Sequence, residues 1–321
     1  MPKRGYFGVS FYVVVGFLAV FFVLLVTGFV IGPLGRSLFG DLGLPAWLIV
    51  PRPVPELPAE VVFHLFGFPV TNSIIGAWLT MLFLVVFAYV ITRRMKIVPG
   101  RLQSAFESLL GWLYHLCQRV AGEENGRRFF PVVATIFLFV AFNAWLSLIP
   151  GFGSIMVTTA DGHHVHLLRG ANTDINMPLA LALISFVFVE YFGLQSLGFH
   201  YLGKFLNIGQ FLKSIGQIVH GRVRDGLIGM FTGLIHIFVG CLEAMSEFIR
   251  IVSFTFRLFG NMTAGEILLL IAAFLVPWVF AIPFYGLELL VGFVQALIFG
   301  GLTLVFLTLA VVHHGEQGAG D

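Results

Sequence analysis

Residues 233–274 read GLIHIFVGCLEAMSEFIRIVSFTFRLFGNMTAGEILLLIAAF, a long apolar run with no proline and a few charges. At 1.5 Å per residue, one helix of this length reaches roughly 60 Å. A hydrocarbon core is about 30 Å thick. The segment therefore either breaks, with Gly240, Gly260 and Gly265 as the available sites, or crosses a membrane at a steep tilt. A helical wheel favours the tilt. With Arg257 set at zero, Glu243, Ser246, Arg250, Ser253 and Asn261 all fall within about 40° of it. A polar stripe stays aligned over that length only on an unbroken helix. The competing reading is a set of unrelated polar residues, each satisfied locally.

Arg257 stands in the middle of the stripe. Its neighbours three residues away are Phe254 and Gly260, and those four away are Ser253 and Asn261. None is acidic. An arginine at the centre of a bilayer costs about 2.5–3.5 kcal/mol on insertion scales, so it marks a functional site by default. Arg250 differs, because Glu247 lies one turn back and supplies a structural partner. The counter-charge for Arg257 must come from another helix or another chain. Glu190 and Glu288 are the candidates within this one.

The rest of the chain has the same character. Of 321 residues, 58% are hydrophobic and only 11% are charged, less than half the charge of an ordinary soluble domain at roughly 25%. The reading is an all-α polytopic membrane protein of about six membrane helices, ending in a long, steeply tilted helical hairpin. Apolar runs of spanning length occur at 7–31, 68–92, 130–150, 177–199, 226–274 and 283–312. The first follows Lys3 and Arg4, which raises a signal peptide as an alternative; its length and the missing small-residue cleavage site favour a retained helix. We therefore expect 1–35 as an additional N-terminal membrane segment and 36–321 as one membrane domain. Basic residues concentrate in the 93–128 and 198–225 loops, which places those loops and both termini in the cytoplasm. Two segments within them, 101–124 and 204–219, carry apolar residues on one helical face and fit helices lying in the membrane interface. A net charge of +2 offers no bulk attraction for nucleic acid. Cys117 and Cys241 have no metal-ligand spacing. His163, His164 and His166 lie in a 151–176 loop that reads as solvated, not as a metal centre.

Beyond these physical readings, RLFGNMTAGE from Arg257 to Glu266 closely resembles the signature of subunit a of F-type ATP synthases. CLEAMSEFIRIVSFTF before it sets Glu243, Ser246, Arg250 and Ser253 at that family's spacings. GFVQALIFGGLTLVFLTLA resembles the family's last helix, with Gln295 at the matching position, and NTDINMPLALAL brings Asp174. VPGRLQSAFESLLGW resembles its first cytoplasmic loop. The resemblance covers roughly residues 60–315.

The resemblance implies a non-catalytic stator subunit of the Fo motor, in a bacterial-type inner membrane, with membrane lipid and the rest of the synthase as its surroundings. Its partners would be a rotating ring of c subunits, each bearing one membrane carboxylate, and the subunit b stalk; no cofactor is implied. Two offset half-channels would carry protons to and from the ring. Arg257 would face the rotor and separate them. Asn261, Glu266, Glu288 and Gln295 match the outer half-channel, with Asp174 near its mouth; Glu243, Ser246, Arg250 and Ser253 match the cytoplasmic one. Where many relatives pair one acid with a histidine, this chain has Glu266 and Glu288, two carboxyls suited to sharing one proton. Glu266 lies nine residues from Arg257, about 180° round the helix, and so faces the other way. The N-terminal helix is an addition to the five main helices of many bacterial relatives. A secondary transporter is the main rival, but inverted repeats are expected of that class. A structural respiratory subunit is a further rival, and has no need of a lone arginine on a polar stripe.

Overall fold

Backbone amides in hydrocarbon have no water to bond, so a chain this apolar must satisfy them within helices. The computed structural model describes residues 11–40, 43, 45, 50, 52, 53, 58–93, 95–158, 162, 164–198, 201 and 223–312. Its helices are α1 (Phe11–Ile31), α2 (Pro33–Phe39), α3 (Asn72–Arg93), α4 (Arg101–Ser147), α5 (Asn176–Leu197), α6 (Val223–Leu275) and α7 (Ala281–Val312). Six of them, all but the short α2, are long and apolar enough to cross a membrane. The protein is an all-α polytopic membrane protein, as the hydropathy pattern requires.

α6 is one helix of 53 residues, about 80 Å at the standard rise. The break allowed by its glycines does not occur. α4 extends the expected third span backwards and takes in the amphipathic segment 101–121. The two parts meet at Gly122, whose φ of 81° and ψ of 172° are not helical. On the amphipathic part, Leu113 and Cys117 are fully buried, while Leu102 at one end and Val120 at the other stay exposed. The second amphipathic segment, 204–219, lies outside the described residues.

Two short hairpins flank the helices. β1 (Val61–Leu65) pairs antiparallel with β2 (Phe68–Thr71), and β3 (Met156–Thr158) with β4 (His164–His166). The first turns at Phe66 and Gly67, both with positive φ, the geometry of a two-residue turn whose twist matches its strands. β2 runs directly into α3, where Thr71 Oγ1 accepts the amide of Ile74 at 3.4 Å and caps the first turn.

Two compact units make up the chain. One comprises Met1–Ala77, Asn143–Asp174 and Gly260–Val294; the other comprises Trp78–Phe142, Ile175–Phe259 and Gln295–Asp321. Lipid tails are as apolar as leucine, so helices here associate through close packing and a few polar contacts. In the second unit Phe129, Phe137, Val133, Val140 and Leu304 are fully buried. Ser185 and Thr303 share a buried hydrogen bond of 2.8 Å between α5 and α7. In the first unit Trp145 donates its indole N–H to the Leu289 carbonyl at 3.1 Å. There too the end of α1 meets the turn after α6: side chains at Gly28 and Gly32 would collide with the carbonyl oxygens of Pro277 and Leu275. The rest of α1 presents large apolar side chains outward.

The kink gives a direct test. Gly122→Ala should cost about 1–2 kcal/mol, because a left-handed backbone opposes a Cβ, and should lower the melting temperature of the purified protein in detergent. Gly111→Ala, on the same α4 with open space around it, should leave that temperature unchanged or raise it.

Candidate functional site

The 253–266 part of α6 sorts its side chains cleanly. Phe254, Leu258 and Met262 are buried, and so is Gly265, while Ser253, Arg257, Gly260 and Asn261 are exposed. The inward face is anchored in the second unit by Phe254, whose ring lies 4.9 Å from that of Phe299 and 5.8 Å from that of Phe306. That packing fixes the helix's rotation and turns Arg257 outward. Arg257 has one polar partner among the described residues of its unit, Ser253, whose hydroxyl accepts at 3.4 Å. No carboxylate among them pairs with it. Glu190, one of the two acids considered from the sequence, instead accepts the Tyr201 hydroxyl at 3.2 Å.

Arg250 behaves as its spacing requires. It meets Glu247 at 2.7 Å and lies over the Phe306 ring, 3.7 Å from the centroid. Of the remaining stripe, Ser246 is exposed and Glu243 half-buried, and Gln295 on α7 is buried.

Within the first unit a cavity of about 430 Å³ opens, with Asn143, His166, Arg169, Asn172, Glu266 and Glu288 on its walls. The structure thus brings Glu266 and Glu288 to one space. Their surroundings differ. Glu266 is paired with Arg169, Nη2 to Oε2 at 3.4 Å. Glu288 has no hydrogen-bond or ion-pair partner among the described residues and lies against Gly265, where any Cβ would strike its carboxylate. Asn72 Oδ1 and both polar atoms of the Asn172 side chain are buried without a protein partner, and both residues line the cavity. Buried amides in that state are sites for ordered water. The walls therefore suit a short water chain running past two carboxyls.

Asp174 lies just before α5, in the first unit. It is buried, accepts the Ser73 hydroxyl at 2.7 Å, and is not among the residues lining the cavity. Asn261 is exposed on α6 and does not line it either. His164 and His166 act within the loop hairpin. His164 Nδ1 lies 3.2 Å from the Thr158 hydroxyl, His166 Nδ1 donates to the Gly153 carbonyl at 2.6 Å, and the His166 amide donates to Glu60 at 3.0 Å. His163 lies outside the described residues. Arg169, Asn143 and Asn172 were missed from the sequence. The only signal for Arg169 was its place five residues before Asp174 in a loop, where a positive charge ordinarily reads as solvated.

These features belong to a polytopic membrane protein with six helices long and apolar enough to cross a membrane. Comparison with known proteins gives the family. The ATP synthase A chain family matches residues 74–308, and the chain belongs to it. α1 and α2 precede the matched region. The chain is similar to the ATP synthase subunit a of a Nitratiruptor species, with 29% identity over 255 residues, 79% of this chain and 93% of that protein. It is also similar to the subunit a of Helicobacter pylori, with 30% identity over 222 residues, 69% of this chain and 81% of that one. The subunit a of Moorella thermoacetica shares 26% over 258 residues, covering 80% and 98% respectively.

Gly265→Ala tests the seat of Glu288. Alanine gains about 1 kcal/mol of helix propensity over glycine, so a merely tolerated glycine would give a more stable variant. The contact with Glu288 leads us to expect a lower melting temperature instead.

Proposed function

We propose that this chain is the membrane stator subunit of the Fo sector of a rotary ATP synthase, passing protons to and from the carboxylates of a c-ring. The observation that carries this reading is Arg257: exposed on a continuous 53-residue helix, with only a serine for company among the described residues of its unit. A permanent cation in lipid needs a counter-charge. Here the rotor supplies it, one carboxylate at a time.

The mechanism follows from elementary electrostatics. A carboxylate in lipid is costly to ionise, so a rotor acid facing hydrocarbon carries its proton. Opposite Arg257 the ionised form is favoured and the proton is released. Arginine suits the position because it keeps its charge at every accessible pH, so it cannot pass a proton between the two half-channels. Asn261, Glu266, Glu288 and Gln295 serve the outer half-channel. Asp174, held by the Ser73 hydroxyl, helps line its mouth. Glu243, Ser246, Arg250 and Ser253 serve the cytoplasmic one. Each charge crossing 100 mV releases about 2.3 kcal/mol, and that drives rotation. The chain is non-catalytic; ATP chemistry belongs to the rest of the complex, held to it through the subunit b stalk. It sits in the inner membrane with both termini in the cytoplasm. Residues 1–35 form an additional membrane segment on the 36–321 domain, and the contact of Gly28 and Gly32 with the 275–277 turn supports that reading.

Arg257→Ala should abolish ATP-driven proton pumping in inverted membrane vesicles while the complex still assembles. Retained coupled pumping would refute the stator assignment. In the same vesicles, Glu288→Gln should lower proton flow at least tenfold, on the order of the loss expected for one proton-transfer group.

A further inference from the structure

Arg169 sits in a loop, and the structure invests heavily in placing it. Its carbonyl packs so closely on α3 that a side chain at Gly76 would collide with it. Gly170, next in sequence, leaves only 3.0 Å between a would-be Cβ and Ser147. The guanidinium is buried, and each nitrogen has one acceptor. Nε donates to Thr173 Oγ1 at 3.1 Å, Nη1 to the Pro58 carbonyl at 3.0 Å and Nη2 to Glu266 at 3.4 Å. Thr173 is itself oriented, since its hydroxyl donates to the Gly170 carbonyl at 2.8 Å. A planar fork held at three points is a fixed charge rather than a roaming one.

The two glutamates on the cavity wall are therefore not equivalent. Glu266 has a fixed cation against it. Glu288 has none, nor any hydrogen-bond partner among the described residues; it lines the cavity, with its carboxylate against Gly265. We infer that Arg169 is a positioning residue that holds Glu266 as the fixed anionic member of a charge-neutral pair, leaving Glu288 as the carboxyl that takes up and passes on the travelling proton. This rests on the proposed function and sharpens it, replacing an equal sharing of one proton by a division of labour. The step balances simply: Glu288 accepts a proton from cavity water, then gives it towards the rotor and returns to carboxylate. Arg169 and Glu266 exchange none. Without Arg169, Glu266 would compete for the same proton and act as a trap.

The test is a charge cycle in the intact complex, read as ATP-driven proton pumping per assembled complex in inverted vesicles. Arg169 is buried and Glu266 is partly exposed, so Glu266→Gln strands a buried cation and Arg169→Gln frees a carboxylate on the cavity wall; each should lower pumping at least about tenfold. The double variant R169Q/E266Q has no stranded charge and should recover to at least about tenfold above R169Q alone. Arg169→Lys, which keeps the charge, should stay within about threefold of the parent. A role confined to loop packing predicts the opposite order, with the double variant no better than R169Q and Lys failing like Gln; that result overturns the inference. If R169Q fails to accumulate in membranes, recovery of assembly by the double variant supports the charge balance, and failure of both overturns it. An R257A arm separates the two levels. Coupled pumping in R257A sinks the stator reading itself, whereas loss in R257A with normal pumping in R169Q sinks only the role of Arg169.

Discussion

Arg257 is a charge that cannot be discharged, held in a chain built for lipid and given no carboxylate among the described residues of its own unit. The architecture around it serves to keep that state. Phe254 and Leu258 bury the opposite face of α6 and set its rotation. The helix runs unbroken past the arginine in both directions, so the polar stripe remains one surface. Ser253 takes a single hydrogen bond and leaves most of the guanidinium available. An ordinary membrane protein would place an acid within a turn, as this chain does for Arg250 with Glu247. Two arginines seven residues apart on one helix thus differ in partner: Arg250 has a carboxylate and Arg257 has a serine hydroxyl.

The first unit solves a different problem. Its cavity brings acids into an apolar bundle and must keep them from collapsing onto one another. A buried arginine neutralises one of them, and a glycine on α6 makes room for the other. Unpaired amides at Asn72 and Asn172 leave hydrogen-bonding capacity for water.

The helices and the stripe were legible because they are periodic. Residues 233–274 contain no breaker, and five polar residues keep phase with Arg257 on a wheel. The expectation that Arg257 and Glu266 face opposite ways rests on the same arithmetic. The merger of the amphipathic segment with the third span was not legible, since Gly122 lay inside the 101–124 segment and nothing in its neighbours marked the positive φ at which the two helices join. Arg169 was invisible for a deeper reason. It meets Glu266 across 97 residues of sequence, in a loop where periodicity says nothing, and only tertiary packing makes its charge buried. Asp174 stood out in the sequence only through its motif; its bond to Ser73, 101 residues away, needed the tertiary packing to be seen.

The central claim is that the exposed stripe of α6 faces a moving partner. Cysteine cross-linking in the intact complex tests it most directly, in a background with Cys117 and Cys241 replaced. Ser253→Cys and Asn261→Cys should each form disulfide adducts with a cysteine beside the c-subunit carboxylate, while Leu258→Cys, on the buried face, should form none. Adducts at Leu258 with none at Ser253 or Asn261 would contradict the account.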